Sequence, residues 1–132
     1  TVLEALARGR YFVAYPGVTP DRRNDWCHLK RPVFYELDLR VNGRMMGEEV
    51  KVRKNAEIEI TIQAAGRKLK SLELLRGNYS ETERIWTRKV GKSGKTKARL
   101  NVAVTQPCWL RVEGFAGNGA LCLRSNPIFV RC

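Results

Sequence analysis

The chain has 132 residues, of which 43% are hydrophobic and 29% charged, proportions typical of one globular domain. No apolar run approaches the roughly 20 residues of a membrane helix and no signal peptide is recognisable, so we expect no membrane partner. The formal net charge of +12 is unevenly spread, with a balance of +2 over residues 1–66 and +10 over residues 67–132. Such an excess of cations is typical either of a surface for polyanions or of a solvated face.

The first nine residues have the pattern of the end of a helix. Leu3 and Leu6 share one helix face, and Gly9 has the position of a C-terminal cap. The pattern is already under way at the first residue. We therefore expect residues 1–9 to end a connecting helix from an upstream domain, and residues 10–132 to form one further domain.

Residues 10–15 are aromatic and β-branched, which predicts a first strand. Residues 16–32 hold three of the five prolines and predict a long loop, which in folded domains is functional or packed over a neighbour. Because this loop closely follows the connecting helix, we expect it to meet the upstream domain. The residues expected on that interdomain surface are Tyr15, Pro16, Pro20, Trp26 and His28.

From Val33 onward, apolar and polar residues alternate as they do in antiparallel strands with one wet face. Asn42-Gly43 is the strongest hairpin signal of the chain. Strands are predicted over 33–41, 57–64, 71–76, 84–90 and 97–104. The final segment predicts a strand, a turn at 116–119 and a second strand. The Asn126-Pro127 break then precedes a last strand. The pattern predicts an all-β fold, an immunoglobulin-like antiparallel β-sandwich of about seven or eight strands with a short N-terminal helix.

A basic stretch follows residue 83. Gly91-Lys-Ser-Gly-Lys-Thr96 ends like a phosphate-binding loop, but Lys89 stands where that motif needs its first glycine, and a strand rather than a helix follows. We therefore predict a hairpin turn flanked by cations, which would either grip a phosphate backbone and stack a base or form a solvated face. The candidate polyanion-binding residues are Arg84, Trp86, Arg88, Lys89, Lys92, Lys95, Lys97 and Arg99.

The four cysteines show no metal-binding spacing. We expect four free thiols, as in a cytoplasmic protein, while a disulfide that involves Cys132 stays open. Cys27 and His28, near Asp25, would be the place for a thiol–imidazole pair or a metal ligand. Since His28 is the only histidine, we predict no catalytic residue, metal site or cofactor in this chain. Asn78-Tyr-Ser80 matches a glycosylation acceptor.

The whole chain resembles the C-terminal part of PHP-domain proteins, named for polymerase and histidinol phosphatase. The resemblance is carried by six short segments in order: Glu4–Val13, Leu39–Gly43, Gly47, Leu72–Gly77, Trp109–Val112 and Ser125–Val130. Two features depart from the family: Gly77-Asn78 stands where it has Asn-Gly, and the resemblance does not explain the charge of +12.

The resemblance implies a non-catalytic accessory domain behind a metal-dependent, phosphoesterase-like barrel. That barrel would precede Thr1 and hold the divalent metals, because the family's His-x-His and Asp-x-His motifs have no counterpart in this sequence. The accessory domain would pack on the barrel, gate its substrate access or mediate homo-oligomerisation. The alternative, from the residues alone, is a stand-alone basic module for nucleic acid or another polyanion.

Overall fold

The computed structural model of the chain describes residues 12–14 and 35–132. These residues form eleven strands, and the described part contains no helix. In chain order the strands are β1 (Phe12–Ala14), β2 (Tyr35–Val41), β3 (Arg44–Met45), β4 (Glu49–Lys51), β5 (Glu57–Gly66), β6 (Leu69–Gly77), β7 (Thr82–Lys89), β8 (Lys95–Ala103), β9 (Cys108–Ala116), β10 (Leu121–Ser125) and β11 (Ile128–Arg131). The predicted N-terminal helix and the predicted 16–32 loop lie outside the described residues.

The strands form two sheets that pack face to face. In the larger sheet β7, β6 and β9 lie side by side, and the other edge of β9 pairs with both β10 and β11, which pair in turn with β1 and β4. The smaller sheet has the order β3-β2-β5-β8. All of these pairs are antiparallel except β4 with β11. The predicted immunoglobulin-like sandwich is thus confirmed, with eleven strands rather than seven or eight.

Alternate residues of the long strands fill the space between the sheets. In β5, Ile60 and Ile62 are fully buried while Glu57 and Glu59 are exposed. Burying such a side chain stabilises the fold by roughly 1.5–3 kcal/mol. The largest fully buried side chains come from both sheets: Leu39, Ile58, Ile60, Ile62, Leu69, Leu72, Leu74, Leu110, Leu123 and Ile128. The alternation predicted for these segments is confirmed in β2 and β5.

The Asn42-Gly43 hairpin is also confirmed. Both residues have positive φ, 50° and 81°, as a two-residue turn of type I′ requires. The Asn42 side-chain oxygen accepts a hydrogen bond from the Glu59 amide at 2.9 Å. The short strands β3 and β4 that follow were not predicted, because two or three residues are too few to show a period.

The hairpin predicted around residues 91–96 is wrong. β7 pairs with β6 in the larger sheet and β8 pairs with β5 in the smaller one. The connection between β7 and β8 therefore crosses from one sheet to the other. Alternation identifies a strand but not its partner, and a Gly-rich link of this length joins two sheets as readily as two neighbours. The phosphate-binding-loop alternative is excluded, because the strand β8 follows.

The C-terminal segment forms the predicted strands, with a small change of register. Leu121 lies opposite Phe115, and an irregularity after Leu121 brings Arg124 opposite Glu113. Cys108 lies opposite Val130 of β11. Cys108, Cys122 and Cys132 are free, as predicted, and Cys27 lies outside the described residues.

Candidate functional site

Two chain reversals lie side by side at one end of the sandwich. The β5–β6 turn (residues 67–68) and the β7–β8 connection are joined by two backbone hydrogen bonds, from Gly66 N to Gly94 O and from Val90 N to Lys70 O, both 2.8 Å long. Gly94 has a φ of 69°, and a Cβ at this position would lie 2.5 Å from the Gly66 carbonyl oxygen. Only glycine permits this approach, so the two reversals form one fixed surface.

Cationic side chains cover this surface, which we call the basic end. Every one of them is exposed, and none forms a salt bridge with a described residue. They are Arg67, Lys68 and Lys70 from the first reversal, and Lys89, Lys92, Lys95 and Lys97 from the second. Two carboxylates of β2 lie across β5 from the lysines of β8. Glu36 shares a row with Lys95, and Asp38 shares a row with Lys97. Asp38 also pairs with Arg40 at 2.9 Å. Among the described residues, cations therefore outnumber acids at the basic end.

The structure brings together only four of the eight predicted polyanion-binding residues, the lysines. Arg84 pairs with Glu73 at 2.7 Å and Arg99 with Glu59 at 3.8 Å, so their charges are compensated. Each pair joins neighbouring strands, Arg84 on β7 to β6 and Arg99 on β8 to β5.

Trp86 is half-buried and packs against the hydrophobic core. The Arg88 guanidinium lies over its ring at 5.4 Å from the centroid and donates a hydrogen bond to the Lys97 carbonyl oxygen at 3.0 Å. Arg88 thus links the edges of the two sheets. The predicted stacking of a base on Trp86 does not fit this arrangement, because the ring is already covered.

Sequence reasoning missed Arg67, Lys68 and Lys70. The only signal was the Arg-Lys-Leu-Lys run directly after a predicted strand. That run becomes part of a cluster only through the hydrogen bonds between two reversals that are more than 20 residues apart in the chain. No local pattern reports such a contact.

The opposite end of the sandwich carries exposed aromatic side chains. Tyr79 is fully exposed, Phe129 is half exposed, and with Pro107 and Trp109 they line a shallow pocket of about 440 Å³. The Trp109 ring lies against Gly77, where a Cβ would come within 2.0 Å of it. We call Tyr79, Pro107, Trp109 and Phe129 the aromatic patch.

Cations near the aromatic patch have acidic partners. Arg131 pairs with Glu49 at the rim of the pocket. Arg111 lies over the Trp109 ring at 5.0 Å and pairs with Glu113 at 2.9 Å. The patch is therefore apolar at its centre, and the two arginines beside it are charge-paired.

Two of the described thiols are made less reactive by burial. Burial raises the pKa of the Cys108 and Cys122 thiols, which keeps both protonated near neutral pH and poorly nucleophilic. Within residues 12–14 and 35–132, no group of three or more His, Cys, Asp or Glu side chains could hold a metal ion. In the same residues no helix is long and apolar enough to cross a membrane. The predicted interdomain residues Tyr15, Pro16, Pro20, Trp26 and His28 lie outside this part of the chain, as does Cys27.

Comparison with known proteins gives no assignment. No family model matches the chain, and no curated protein matches it. Among solved structures, the chain is similar to a β-glucosidase from Listeria innocua solved in complex with glucose, with 11% sequence identity and a TM-score of 0.37. The likeness covers 94% of this chain and 22% of that one, so the chain spans about a fifth of the length of that protein.

Proposed function

We propose that this is a non-catalytic accessory domain that docks through the aromatic patch onto an upstream domain of the same polypeptide. The observation that carries the proposal is the exposure of Tyr79 and Phe129 beside Trp109 and Pro107. Contiguous exposed apolar surface on a folded domain marks interaction sites, and Trp and Tyr supply much of the binding energy at such sites.

The direction of β1 supports this choice of partner. Phe12 lies opposite Ser125 and Ala14 opposite Leu123, so β1 runs away from the aromatic patch and toward the basic end. Beyond β1, toward the aromatic patch, the same sheet edge is occupied by Gly47. Its backbone N–H donates a hydrogen bond to the Pro127 carbonyl oxygen at 3.1 Å. An upstream domain would therefore join the sandwich at the end that carries the patch.

The upstream domain that we propose is a PHP-type, metal-dependent phosphoesterase-like barrel, because six segments of this chain resemble the C-terminal part of such proteins in the right order. The divalent metals would be held by that barrel. The accessory domain would pack on it and limit access to it. The free thiols at Cys108, Cys122 and Cys132 are typical of a reducing compartment, so the proposal includes a cytoplasmic location.

The test compares the present chain with a longer polypeptide that includes the upstream domain, using a panel of phosphoesters with added Mn²⁺ or Zn²⁺. We expect hydrolysis by the longer polypeptide and none by the present chain. In the longer polypeptide, Phe129→Ser with Tyr79→Ser should separate one thermal transition into two, because the patch no longer holds the domains together. Asn101→Ser, at an exposed strand position of the smaller sheet, is the control.

Two results would contradict the proposal. One is hydrolysis by the present chain alone. The other is a patch variant of the longer polypeptide that melts and hydrolyses substrate as the Asn101→Ser control does.

A further inference from the structure

The basic end concentrates charge on a surface that the fold holds fixed. Seven exposed cations project from two reversals that are joined by the Gly66–Gly94 and Val90–Lys70 hydrogen bonds. Like charges held this close repel one another, and a bound polyanion relieves that repulsion while releasing its own counterions. We propose that the basic end binds the phosphate backbone of double-stranded nucleic acid, independently of base sequence.

The cations come from both layers of the sandwich. Lys70 and Lys89 belong to the larger sheet, whereas Lys95 and Lys97 belong to the smaller one. Packed sheets lie ~10 Å apart, which falls between the ~6 Å and ~12 Å widths of the two grooves of B-form DNA. The cations of the two layers are therefore separated on the scale of a groove width, as contact with both phosphate rows that border a groove requires.

Among the described residues, the exposed side chains of the basic end include no large hydrophobic one, which favours duplex phosphates over two other polyanions. Binding of a single strand relies on aromatic side chains that stack bases, and Trp86 is covered by Arg88. Binding to an anionic membrane surface is strengthened by apolar side chains that insert into it. Among the described residues, the two exposed large hydrophobic side chains, Tyr79 and Phe129, both lie at the opposite end.

Contacts to phosphates alone position a protein on a duplex but carry no sequence information. Two labelled 20-base-pair DNA duplexes of unrelated sequence should therefore bind the chain with equal affinity in fluorescence anisotropy titrations. The logarithm of the binding constant should fall linearly with the logarithm of salt concentration, with a slope of about −0.9 for each phosphate neutralised.

The chain contains its own matched control. Arg67-Lys68 directly follows β5 at the basic end, and Arg53-Lys54 lies shortly before β5 at the opposite end; all four residues are exposed. We expect Arg67→Gln with Lys68→Gln to reduce the magnitude of the salt slope by about 1.8, two contacts of about 0.9 each. Arg53→Gln with Lys54→Gln removes the same charge and should leave the slope unchanged. Lys92→Gln with Lys95→Gln should repeat the loss from the second reversal.

Several results would overturn the proposal. Equal losses in the basic-end and control pairs would assign binding to the net charge of +12 rather than to a site. Tighter binding to a single strand of the same length would indicate base stacking, and tighter binding to phosphatidylserine vesicles would indicate a membrane surface. Because the basic end and the aromatic patch lie at opposite ends, failure of this test leaves the docking proposal intact.

Discussion

The two ends of the sandwich show that an exposed pair of cations becomes part of a cluster only where the fold brings further cations beside it. Arg53-Lys54 and Arg67-Lys68 are the same dipeptide on either side of β5. At the basic end, a second reversal adds further lysines and the nearby acids are few. At the opposite end, arginines pair with carboxylates, as Arg76 does with Glu83, and aromatic side chains take the exposed positions. Because the two Arg-Lys dipeptides are identical, the difference in charge density between the two ends comes from the segments that the fold places beside each dipeptide.

The largest effect should come from separating the two reversals of the basic end. Gly94→Ala places a Cβ 2.5 Å from the Gly66 carbonyl oxygen and forces a positive φ on a residue that resists it. We expect a loss of about 3 kcal/mol in the free energy of unfolding, measured by urea denaturation, and weaker duplex binding. Gly91→Ala, where a Cβ meets nothing within 4 Å, is the control and should change stability by less than about 0.5 kcal/mol. Equal stability of the two variants would show that the reversals are not held by this contact.

The next effect concerns pH, and it again singles out the basic end, where Tyr35 pairs with Gly66. Burial raises the pKa of Tyr35 from 10.0 to about 12. The unfolded chain therefore loses this proton at lower pH than the folded chain, and the stability present below pH 10 should fall as pH rises from 10 to 12. The loss should approach about 2 kcal/mol. Tyr35→Phe should remove this part of the pH dependence in parallel urea titrations, and an unchanged dependence would contradict the assignment to Tyr35.

The smallest effect separates paired from unpaired cations on one strand. Arg84 and Lys89 both lie on β7, but Arg84 pairs with Glu73 and Lys89 forms no salt bridge with a described residue. Arg84→Gln should cost less than about 1 kcal/mol of stability and leave the salt slope of duplex binding unchanged. Lys89→Gln should leave stability unchanged and reduce the magnitude of the slope by about 0.9. A change of slope in Arg84→Gln as large as that in Lys89→Gln would restore the site predicted from the sequence.

Much of the fold could be predicted because its long strands have one buried face. The alternation in β2 and β5, the Asn42-Gly43 turn and the Asn126-Pro127 break each depend on neighbouring residues alone. Strand partners could not be predicted in the same way. β7 and β8 carry regular patterns, yet the choice between pairing with each other and pairing with β6 and β5 depends on which apolar faces the whole core must cover.

The candidate site shows the same limit. Lys89, Lys92, Lys95 and Lys97 were predicted because they cluster in the sequence. Whether Arg84 and Arg99 were compensated depended on carboxylates in other strands, Glu73 and Glu59, which only the register reveals. Arg67, Lys68 and Lys70 joined the cluster through a contact between distant turns.

The link between Arg88 and the Lys97 carbonyl has a consequence for assembly. β7 and β8 are the outermost strands of their sheets, and unpaired backbone groups on such strands can recruit a strand from another molecule. Arg88 occupies one of the acceptors of β8, and the lysines that flank it repel an approaching copy. A chain whose lysines were acetylated, or whose charges were screened by concentrated salt, would lose the part of that protection that comes from charge repulsion.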